Sequence, residues 1–392
     1  MNRRTFVTAT AVAMATAPRL PAAAQRRVAI IGHTGRGNFG HGLDKVWLQL
    51  PETTIVGVAD AEPKGLAKAV QTLGGVPGFA DYRQMLTDTR PEFVAVGPRH
   101  VDQHRDMAMA AIAAGARGIY IEKPFCRTPA EADEIIAAAD RAGARVAIAH
   151  RNRYHPVIRK LKDRLADGEF GHVIEYRGRG KSDHRGGAED LWVLGSHVLD
   201  VFNLLAGPAR SCSALLLKDG RPVTAADVVL DGGEGLGPLA GNELRARYQL
   251  ANGTIAYFDS FAKDGTKGAG FGLEIICEKG VINIHLDRSP VAHFIPGNPF
   301  ETPKEPRPWL PITSAGIDQP EPQPDVTIHV RNHVAAVRDL IAAVDEKRAP
   351  FCSARAGRDT VEMICAAFES HRRNGQTVTF PLTERGNALT RL

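Results

Sequence analysis

The sequence predicts a two-domain α/β protein, in which a doubly wound parallel sheet precedes an α+β domain built on a large, mostly antiparallel sheet. Three observations support this fold class. Short, continuously apolar runs alternate with helical patterns up to residue 150, a glycine-rich turn follows the first run, and period-two alternation dominates afterwards. We therefore expect a first domain at residues 25–150 and a second at residues 151–392, whose last helices pack back toward the first domain.

The apolar runs of the first domain are predicted to be buried parallel strands. A strand that is covered by helices on both faces meets water on neither, so its sequence is continuously apolar. Thr128 as N-cap, Pro129 at the first helical position and the stop residue Gly143 mark one connecting helix. The runs are VAII (28–31), TIVGVA (54–59), FVAVG (93–97), GIYIE (118–122) and RVAIA (145–149).

The second domain has a different pattern. Segments such as ELRARYQLANGTIAYFDSFA (243–262) show period-two alternation broken by Asn-Gly or Lys-Gly pairs, which is typical of antiparallel hairpins. Residues 191–207 have helical spacing and end at a glycine. The proline-rich stretch 298–324 is predicted to be a long ordered loop, and the residues after it return to amphipathic helices.

Residues 1–24 predict an export signal. Arg3 and Arg4 precede a weakly apolar centre, and the segment ends in an A-x-A pattern that suits cleavage. The paired arginines, together with Arg19 near the cleavage site, are typical of a twin-arginine signal. The apolar centre is too short for a membrane anchor. We expect a periplasmic or secreted protein that is delivered by the twin-arginine export machinery.

Charge and cysteine content narrow the classes of partner. The formal net charge is +5, and three of the basic residues fall within residues 1–24. The nearly balanced remainder argues against a nucleic-acid partner, because that partner needs a face dense in lysine and arginine. The five cysteines are odd in number and have no C-x-x-C spacing, so neither a disulfide framework nor a zinc site is predicted.

A glycine-rich turn after the first strand predicts a dinucleotide site. Gly32, Gly35 and Gly37 follow that strand directly, and a helix is expected after them. The first glycine permits a tight turn, and main-chain N–H groups at the start of the helix would bind a pyrophosphate. Thr34 stands at the middle glycine position, where its side chain either pushes the pyrophosphate outward or donates a hydrogen bond to it.

Asp60 ends the second strand and favours NAD over NADP. A carboxylate at this point accepts hydrogen bonds from the hydroxyls of the adenosine ribose. Its charge repels the 2′-phosphate of NADP, and the next three residues, 61–63, offer no compensating cation. The alternative is that Asp60 only caps the following helix.

Together with several longer segments, these features resemble the Gfo/Idh/MocA family, which includes glucose-fructose oxidoreductase and inositol dehydrogenase. The resemblance covers essentially the whole chain after the signal and implies a Rossmann domain that binds NAD. The segments are VGPRHVDQH (96–104), AAGARGIYIEKP (113–124), LADGEFGHV (165–173), GSHVLD (195–200) and GRDTVEMICAAFES (357–370). The cofactor contacts that the resemblance implies are Gly32, Thr34, Gly35, Arg36, Gly37, Asp60, Pro98, His104, Glu122 and Lys123.

Lys123 and His197 are the catalytic residues that the resemblance implies. Lys123 would lie beside the nicotinamide and bond a substrate hydroxyl, while Glu122 and Pro124 fix its loop. Burial and the cationic nicotinamide would lower the pKa of this lysine from about 10.4 toward neutrality. His197 would take or return the substrate proton. Members of the family commonly carry an aspartate four residues before this histidine, where the present sequence has Val193.

Four side chains are candidates to replace that aspartate. Asp190 and Glu189 precede His197 on the same predicted helix, and Asp183 and His184 lie in the loop before it. The sequence does not decide between the pair on the helix and the pair in the loop. Asp190 and His184 are included among the predicted substrate contacts.

Two further pairs of residues invite a functional interpretation. Arg153 and Tyr154, just past the last strand of the first domain, are predicted substrate contacts; the alternative is a hydrogen bond between the domains. His100 and His104 have a spacing that suits a metal, but no third ligand lies nearby in the sequence, so no metal is predicted. His104 also matches a histidine in the family helix beside the cofactor.

The favoured function is that of an exported oxidoreductase with tightly bound NAD, which acts on a hydroxyl of a sugar, a sugar derivative or a polyol. The second hypothesis is a redox-neutral, NAD-dependent enzyme that cleaves glycosides after transient oxidation of the ring. The third is a non-catalytic sugar-binding homologue. Family members often associate through the open face of the large sheet, so the resemblance also implies a homo-oligomer.

Overall fold

The computed structural model describes residues 25–286 and 288–392. The predicted export signal, residues 1–24, lies outside the described residues and stays a prediction. In these described ranges, none of the helices has the length and apolarity to cross a membrane.

A six-stranded sheet forms the N-terminal part of the fold. Its strands are β1 (Arg26–Ile31), β2 (Thr53–Ala59), β3 (Gly78–Phe79), β4 (Phe93–Val96), β5 (Gly118–Ile121) and β6 (Arg145–Ile148). The helices between them are α1 (Pro63–Thr72), α2 (Tyr82–Thr89), α3 (His104–Ala113) and α4 (Pro129–Ala142).

The strand order is β3-β2-β1-β4-β5-β6, and every neighbouring pair is parallel. The progression of the strands reverses between β1 and β4, so a crevice opens at their carboxyl ends. The predicted doubly wound parallel sheet is confirmed.

The segment after β1 is not the helix that the sequence predicted. Residues 32–45 form a series of turns, called the glycine-rich loop below, and only a short 3-10 helix at Val46–Gln49 follows. Gly37, Gly40 and Gly42 have φ values of 88°, 62° and 96°. A right-handed helix does not propagate through left-handed residues. The prediction of a helix directly after the glycine-rich turn was therefore wrong.

The C-terminal part of the chain contains a ten-stranded sheet and a separate hairpin. Its strands are β7 (Val173–Arg179), β8 (Ala209–Lys218), β9 (Arg221–Pro222), β10 (Val229–Gly232), β11 (Gly237–Leu239), β12 (Glu243–Leu250), β13 (Ile255–Phe261), β14 (Gly272–Cys277), β15 (Gly280–His285), β16 (Ala292–Pro296), β17 (Leu310–Ile312) and β18 (Val378–Thr379). Its helices are α5 (Pro156–Ala166), α6 (Gly187–Asp190), α7 (Ser196–Ala206), α8 (Val326–Arg331), α9 (Val334–Asp345) and α10 (Ala354–Arg372).

The large sheet has the order β17-β16-β15-β14-β7-β13-β12-β8-β18, with β9 beside β8. Of its strand pairs, β7 with β13 is parallel and the others are antiparallel, which confirms the predicted mostly antiparallel sheet. β10 and β11 pair only with each other in a hairpin. The last helices return to the first sheet, because α9 packs on β5 and β6 and α10 packs on α4.

Candidate active site

The turn after β5 places a lysine against the C-terminal part of the chain. Lys123 is 6% exposed, and its Nζ donates a hydrogen bond to the main-chain oxygen of Val193 at 3.0 Å. Burial lowers the pKa of this amine, while the carboxylates of Glu122 and Glu234 oppose part of that shift. The amine is therefore nearer to its neutral, basic form than a lysine in water.

A π-helical turn supplies the oxygen that Lys123 contacts. Residues Leu191–Gly195 form this turn between α6 and α7. Pairing of main-chain groups five residues apart interrupts the ordinary helical pattern of carbonyls. Val193 thereby offers a main-chain oxygen at the position where the resemblance leads one to expect a carboxylate. Among the described residues, no carboxylate forms a hydrogen bond with the Lys123 amine, so its partner is a neutral acceptor.

His197 at the start of α7 faces the same space as Lys123. Burial, and then the charges of Lys123 and of neighbouring basic groups, hold the pKa of this imidazole well below its ordinary value. The ring of His150 packs edge-on against it, with ring centroids 5.5 Å apart. The Nδ1 atom of His197 is buried and has no hydrogen-bond partner in the described part of the chain. A neutral imidazole with one free nitrogen is suited to bind a substrate hydroxyl.

A small cavity joins these groups. Its volume is about 30 Å³, which holds one group of the size of a water molecule. A ligand larger than this enters the space between Lys123 and His197 only when the cavity widens. The glycine-rich loop contributes His41 to the lining. The lining residues are His41, Glu122, Lys123, Ala149, Arg151, His197 and His333.

Glu122 fastens the glycine-rich loop to the turn after β5. Its buried carboxylate accepts hydrogen bonds from the main-chain N and the Nδ1 of His41, at 3.0 and 3.1 Å, and from the main-chain N of Lys123 at 2.9 Å. Burial, the largest single influence, would raise the pKa of Glu122, but the hydrogen bond and charge of His41 together with the charges of Lys123 and His333 hold that pKa well below its usual range. At Gly40 a Cβ atom would approach the Glu122 carboxylate to 2.3 Å, so only glycine allows this contact.

Asp60 is occupied by the glycine-rich loop. Its carboxylate accepts hydrogen bonds from the main-chain N of Thr34 at 3.0 Å, from Thr34 Oγ1 at 2.7 Å and from the main-chain N of Glu62 at 3.0 Å. Glu62, rather than Asp60, is the N-cap of α1 and accepts a hydrogen bond from Gly65 N. The alternative that Asp60 only caps the next helix is thus not what the structure shows.

Two cavities flank the contact between Thr34 and Asp60, and both fit parts of a dinucleotide. Three lysines around the larger cavity suit the negative charge of a pyrophosphate, and the carboxylate in the smaller one suits ribose hydroxyls. The larger, of about 630 Å³, is lined in part by Thr34, Asn38, Gly40, Lys45, Lys64 and Lys68, and also by the acids Asp44 and Glu62. The smaller, of about 200 Å³, is lined in part by Gly32, Asp60, Tyr82, Gln103 and Met107.

Removing the Thr34 hydroxyl is expected to strengthen dinucleotide binding. In Thr34→Val the shape is retained, but one acceptor site on Asp60 becomes free for a ribose hydroxyl. The ribose then no longer has to displace the hydrogen bond between the Thr34 hydroxyl and Asp60. This should strengthen binding by about 1 kcal/mol, which corresponds to a roughly fivefold lower Kd for NADH. A fluorescence titration with NADH measures this, and Thr87→Val on the exposed face of α2 is the matched control. Weaker binding would instead show that the hydroxyl itself contacts the cofactor.

The remaining predicted cofactor residues hold the loops around the crevice. His104 is fully buried, with its Nε2 2.6 Å from the main-chain oxygen of Pro98 and its Nδ1 2.9 Å from that of Pro124. This ring therefore ties the loop after β4 to the turn after β5. Arg36 pairs with Asp102 at 2.5 Å. Within the described ranges, no group of three or more side chains is placed to share a metal ion.

Arg153 and Tyr154, which were predicted as substrate contacts, are not among the residues that line this cavity. The buried guanidinium of Arg153 bonds the carboxylate of Asp200 at 2.8 to 3.1 Å. The hydroxyl of Tyr154 donates to Asp339 and accepts from the main-chain N of Cys352, both at 3.1 Å. These bonds join the segment after β6 to distant parts of the chain, which is the alternative considered for this pair.

Asp190 and His184, the other predicted substrate contacts, are not among the residues that line the cavity of Lys123 and His197. Asp190 is fully buried, and its carboxylate accepts from Ser260 Oγ at 2.6 Å and from two main-chain N–H groups. His184 has a side chain that is 77% exposed, beside Asp183. The hydrogen bond from Arg185 lowers the pKa of Asp183 to about 2. One acid is thus enclosed and the other is paired, and neither carboxylate forms a hydrogen bond with the amine of Lys123.

The hairpin of β10 and β11 reaches the loop after β4. The carboxylate of Glu234, in the turn of this hairpin, lies 3.9 Å from the guanidinium of Arg99. At Gly235 a Cβ atom would meet the Asp102 carboxylate at 2.3 Å, and the φ of this residue is +65°. Glu234 also opposes the lowering of the Lys123 pKa. The hairpin thus brings a carboxylate from the C-terminal part of the chain toward the crevice.

Four residues of the site were not identified from the sequence. His150 and Arg151 directly follow β6. Their position at the carboxyl end of a parallel strand, where ligands commonly bind, could have indicated them. His41 belongs to a glycine-rich segment that was expected to be helical. His333 comes from the linker before α9; its Nδ1 lies 2.7 Å from the hydroxyl of Tyr120, and burial lowers its pKa to about 4. No local feature of the sequence indicates that His333 reaches β5.

Residues 26–150 match the Gfo/Idh/MocA family model, which describes an oxidoreductase family with an NAD-binding Rossmann fold. The curated relatives include D-apiose dehydrogenase of Paraburkholderia graminis, which is 27% identical over 207 residues, or 50% of this chain and 54% of that protein. Levoglucosan dehydrogenase of Pseudarthrobacter phenanthrenivorans is 25% identical over 255 residues, or 59% of this chain and 65% of that protein. The chain thus spans between half and two thirds of the length of these relatives.

Solved structures share the fold over most of the chain. A levoglucosan dehydrogenase in complex with NADH and levoglucosan has a TM-score of 0.71 and 19% identity, and the match covers 91% of this chain and 100% of that one. An oxidoreductase domain protein from Kribbella flavida has a TM-score of 0.70 and 21% identity, with 91% and 100% covered. At these identities the similarity establishes the fold. With the family match, it confirms the predicted cofactor class, NAD.

Proposed function

We propose that this chain, whose residues 26–150 belong to the NAD-binding Rossmann fold of the Gfo/Idh/MocA oxidoreductases, is an NAD-dependent oxidoreductase of a sugar, a sugar derivative or a polyol. The observation that carries the proposal is the buried amine of Lys123, which shares one cavity with the neutral imidazole of His197 at the carboxyl end of β5. The names of the curated relatives, two sugar dehydrogenases, support a sugar hydroxyl as the reacting group.

The residues of the cavity have different roles in the proposed reaction. NAD, when bound between the glycine-rich loop and Asp60, would supply the acceptor for a hydride from the carbon that carries the hydroxyl. Lys123, whose pKa is lowered by burial, takes the hydroxyl proton as general base. His197, as a neutral imidazole, orients that hydroxyl through a ring nitrogen. Glu122 positions Lys123 through the turn that it shares with the amine.

The redox-neutral alternative needs the same groups and differs in outcome. It would release an aglycone without accumulation of NADH. The dehydrogenase names among the relatives support net oxidation instead. The retained Lys123 and His197 likewise support an enzyme rather than a non-catalytic sugar-binding homologue.

Two further parts of the proposal rest on the sequence pattern and the resemblance. We propose that the twin-arginine type segment at residues 1–24 directs the protein to the periplasm or outside the cell, with NAD tightly held. An exported enzyme meets little free dinucleotide, so a retained cofactor would be required. We also propose a homo-oligomer formed through the open face of the large sheet, where Leu215 and Tyr257 are exposed.

Denaturing the protein recovered from the periplasm is the experiment that tests the proposal. We expect mass spectrometry of the released small molecules to identify NAD or NADH. Addition of a panel of free sugars to the native protein should raise the absorbance near about 340 nm, which is typical of reduced nicotinamide. A preparation that retains no dinucleotide and binds no added NADH would contradict the proposal.

A further inference from the structure

Arg151 presents an unusual charge to the active-site cavity. It directly follows β6 and lines the cavity with Lys123 and His197. Its guanidinium donates one hydrogen bond, from Nη1 to the main-chain oxygen of Arg331 at 3.2 Å. In the part of the chain that the structure describes, it forms no ion pair. Most N–H donors of this guanidinium therefore have no partner among the described residues.

The acid among the described residues that line this cavity is already hydrogen-bonded. Glu122 accepts two hydrogen bonds from His41 and one from the main chain of Lys123. The positive charge of Arg151 instead acts on two neighbouring imidazoles. After burial, which is the largest cause, Arg151 is among the groups that lower the pKa of His197, and it also lowers that of His333.

Two other arginines in the described part of the chain are matched by carboxylates. Arg153 is paired with Asp200 at 2.8 Å, and Arg385 with Asp133 at 2.6 Å. An unpaired cation in a partly desolvated place costs free energy, so a protein tends to retain one where a ligand supplies the opposite charge. The cavity thus contains the cationic guanidinium of Arg151 and the amine of Lys123, and no free acid among its described lining residues.

We propose that Arg151 binds a carboxylate of the substrate, so that the reacting sugar is an acidic one, such as a uronic or an aldonic acid. This inference rests on the proposed function. The planar fork of a guanidinium matches a carboxylate through two parallel hydrogen bonds, which a neutral sugar cannot provide. The carboxylate fixes the neighbouring carbons against Lys123 and His197.

The reaction itself is balanced by the groups already named. The carbon that carries the hydroxyl loses a hydride to NAD and becomes a carbonyl, and its hydroxyl proton passes to Lys123. NAD is reduced to NADH, and the product is a keto acid. The carboxylate on Arg151 is unchanged, so Arg151 decides which substrate binds rather than which bond breaks.

A comparison of acidic and neutral sugars with matched variants tests this assignment. We would measure kcat and KM for glucuronate, galacturonate and gluconate against glucose and galactose, with wild-type protein, Arg151→Gln and Arg151→Lys. Wild-type protein should prefer an acid. Arg151→Gln should lower kcat/KM for that acid by about 100-fold, mainly through KM, because a buried charge pair is lost. In Arg151→Gln the kcat/KM for neutral sugars should change by less than about threefold. The kcat/KM of Arg151→Lys for the acid should lie between the values of wild-type protein and of Arg151→Gln.

The control is Arg145→Gln. Arg145 also bonds only main-chain oxygens, those of Gly143, Ala144 and Lys347, but at the opposite end of β6. The Arg145→Gln variant should leave kcat and KM unchanged for every sugar. The Kd for NADH should be the same in every variant. An equal loss with acidic and neutral sugars in Arg151→Gln would overturn the inference.

Calorimetry of the NADH-loaded protein with the same three acids provides a readout that does not need turnover. Binding should be present in wild-type protein and lost in Arg151→Gln. Failure of every acid to bind would overturn the role of Arg151 while NADH binding still supports the proposed function. Failure to bind NADH would contradict the proposed function itself.

Discussion

Replacing Lys123 by methionine should reduce kcat for sugar oxidation by about 1,000-fold, because the general base of the cavity is lost. Methionine has a similar length and no charge, so it fills the buried space beside Val193. NADH binding should stay within about threefold of the wild-type value. Steady-state kinetics and a fluorescence titration measure the two quantities. A variant that keeps a tenth of the activity would rule out the amine as the base.

Two controls separate loss of the base from a general defect. Lys162→Met on the exposed face of α5 should leave kcat unchanged. The pH profile of wild-type protein is the second control. Burial lowers the pKa of Lys123, and only the neutral amine accepts a proton. Activity should therefore rise with pH along a limb centred below the ordinary lysine value of about 10.4. Because the pKa of His197 lies well below its ordinary value, no second limb is expected near neutral pH.

The parallel sheet was predictable because its signals are local. Continuous apolar runs identified β1, β2, β4, β5 and β6, since burial on both faces leaves no polar positions. Helix α4 was equally clear: Thr128 Oγ1 accepts from the main-chain N of Glu131 at 3.2 Å, and Gly143 ends the helix with a φ of 67°. Capping chemistry acts within one turn of the chain.

The missing helix after β1 shows the limit of motif matching. A glycine-rich turn after a strand is usually followed by a helix, and the motif was interpreted in that way. The same segment contains Gly40 and Gly42, and these residues adopt left-handed backbone with Gly37. Glycine density was therefore visible, but the contact that uses it, between Gly40 and Glu122, joins two elements that are far apart in sequence.

The site was predictable only where a residue adjoins a recognisable motif. Lys123 and His197 lie in such segments, and the structure brings them to one cavity. Arg153 and Asp190 were interpreted as substrate contacts because their partners are not visible in the sequence. Asp200 lies 47 residues from Arg153, and Ser260 lies 70 residues from Asp190. Whether a charge is paired or free depends on tertiary contacts, and this also explains why Arg151 was missed.

Breaking the buried ion pair between Arg153 and Asp200 should have the largest effect on stability. Asp200→Asn should lower the free energy of unfolding by about 3 to 5 kcal/mol, because the guanidinium stays buried without its opposite charge. Asp200 lies three residues after His197 on α7, so the same change should loosen the imidazole and raise KM. Urea denaturation followed by circular dichroism measures the stability.

Two further variants test whether the unpaired buried charge causes the loss of stability. Asp140→Asn removes one partner of the exposed pair with Arg355, whose side chains are both 59% exposed, and should cost less than about 1 kcal/mol. The double variant Arg153→Met/Asp200→Leu replaces both buried charges by apolar groups and should recover most of the lost stability. If the double variant were as unstable as Asp200→Asn, the loss would come from packing of α7 rather than from an unpaired charge. If Asp200→Asn cost no more than Asp140→Asn, the pair would contribute little to holding α7 against the segment after β6.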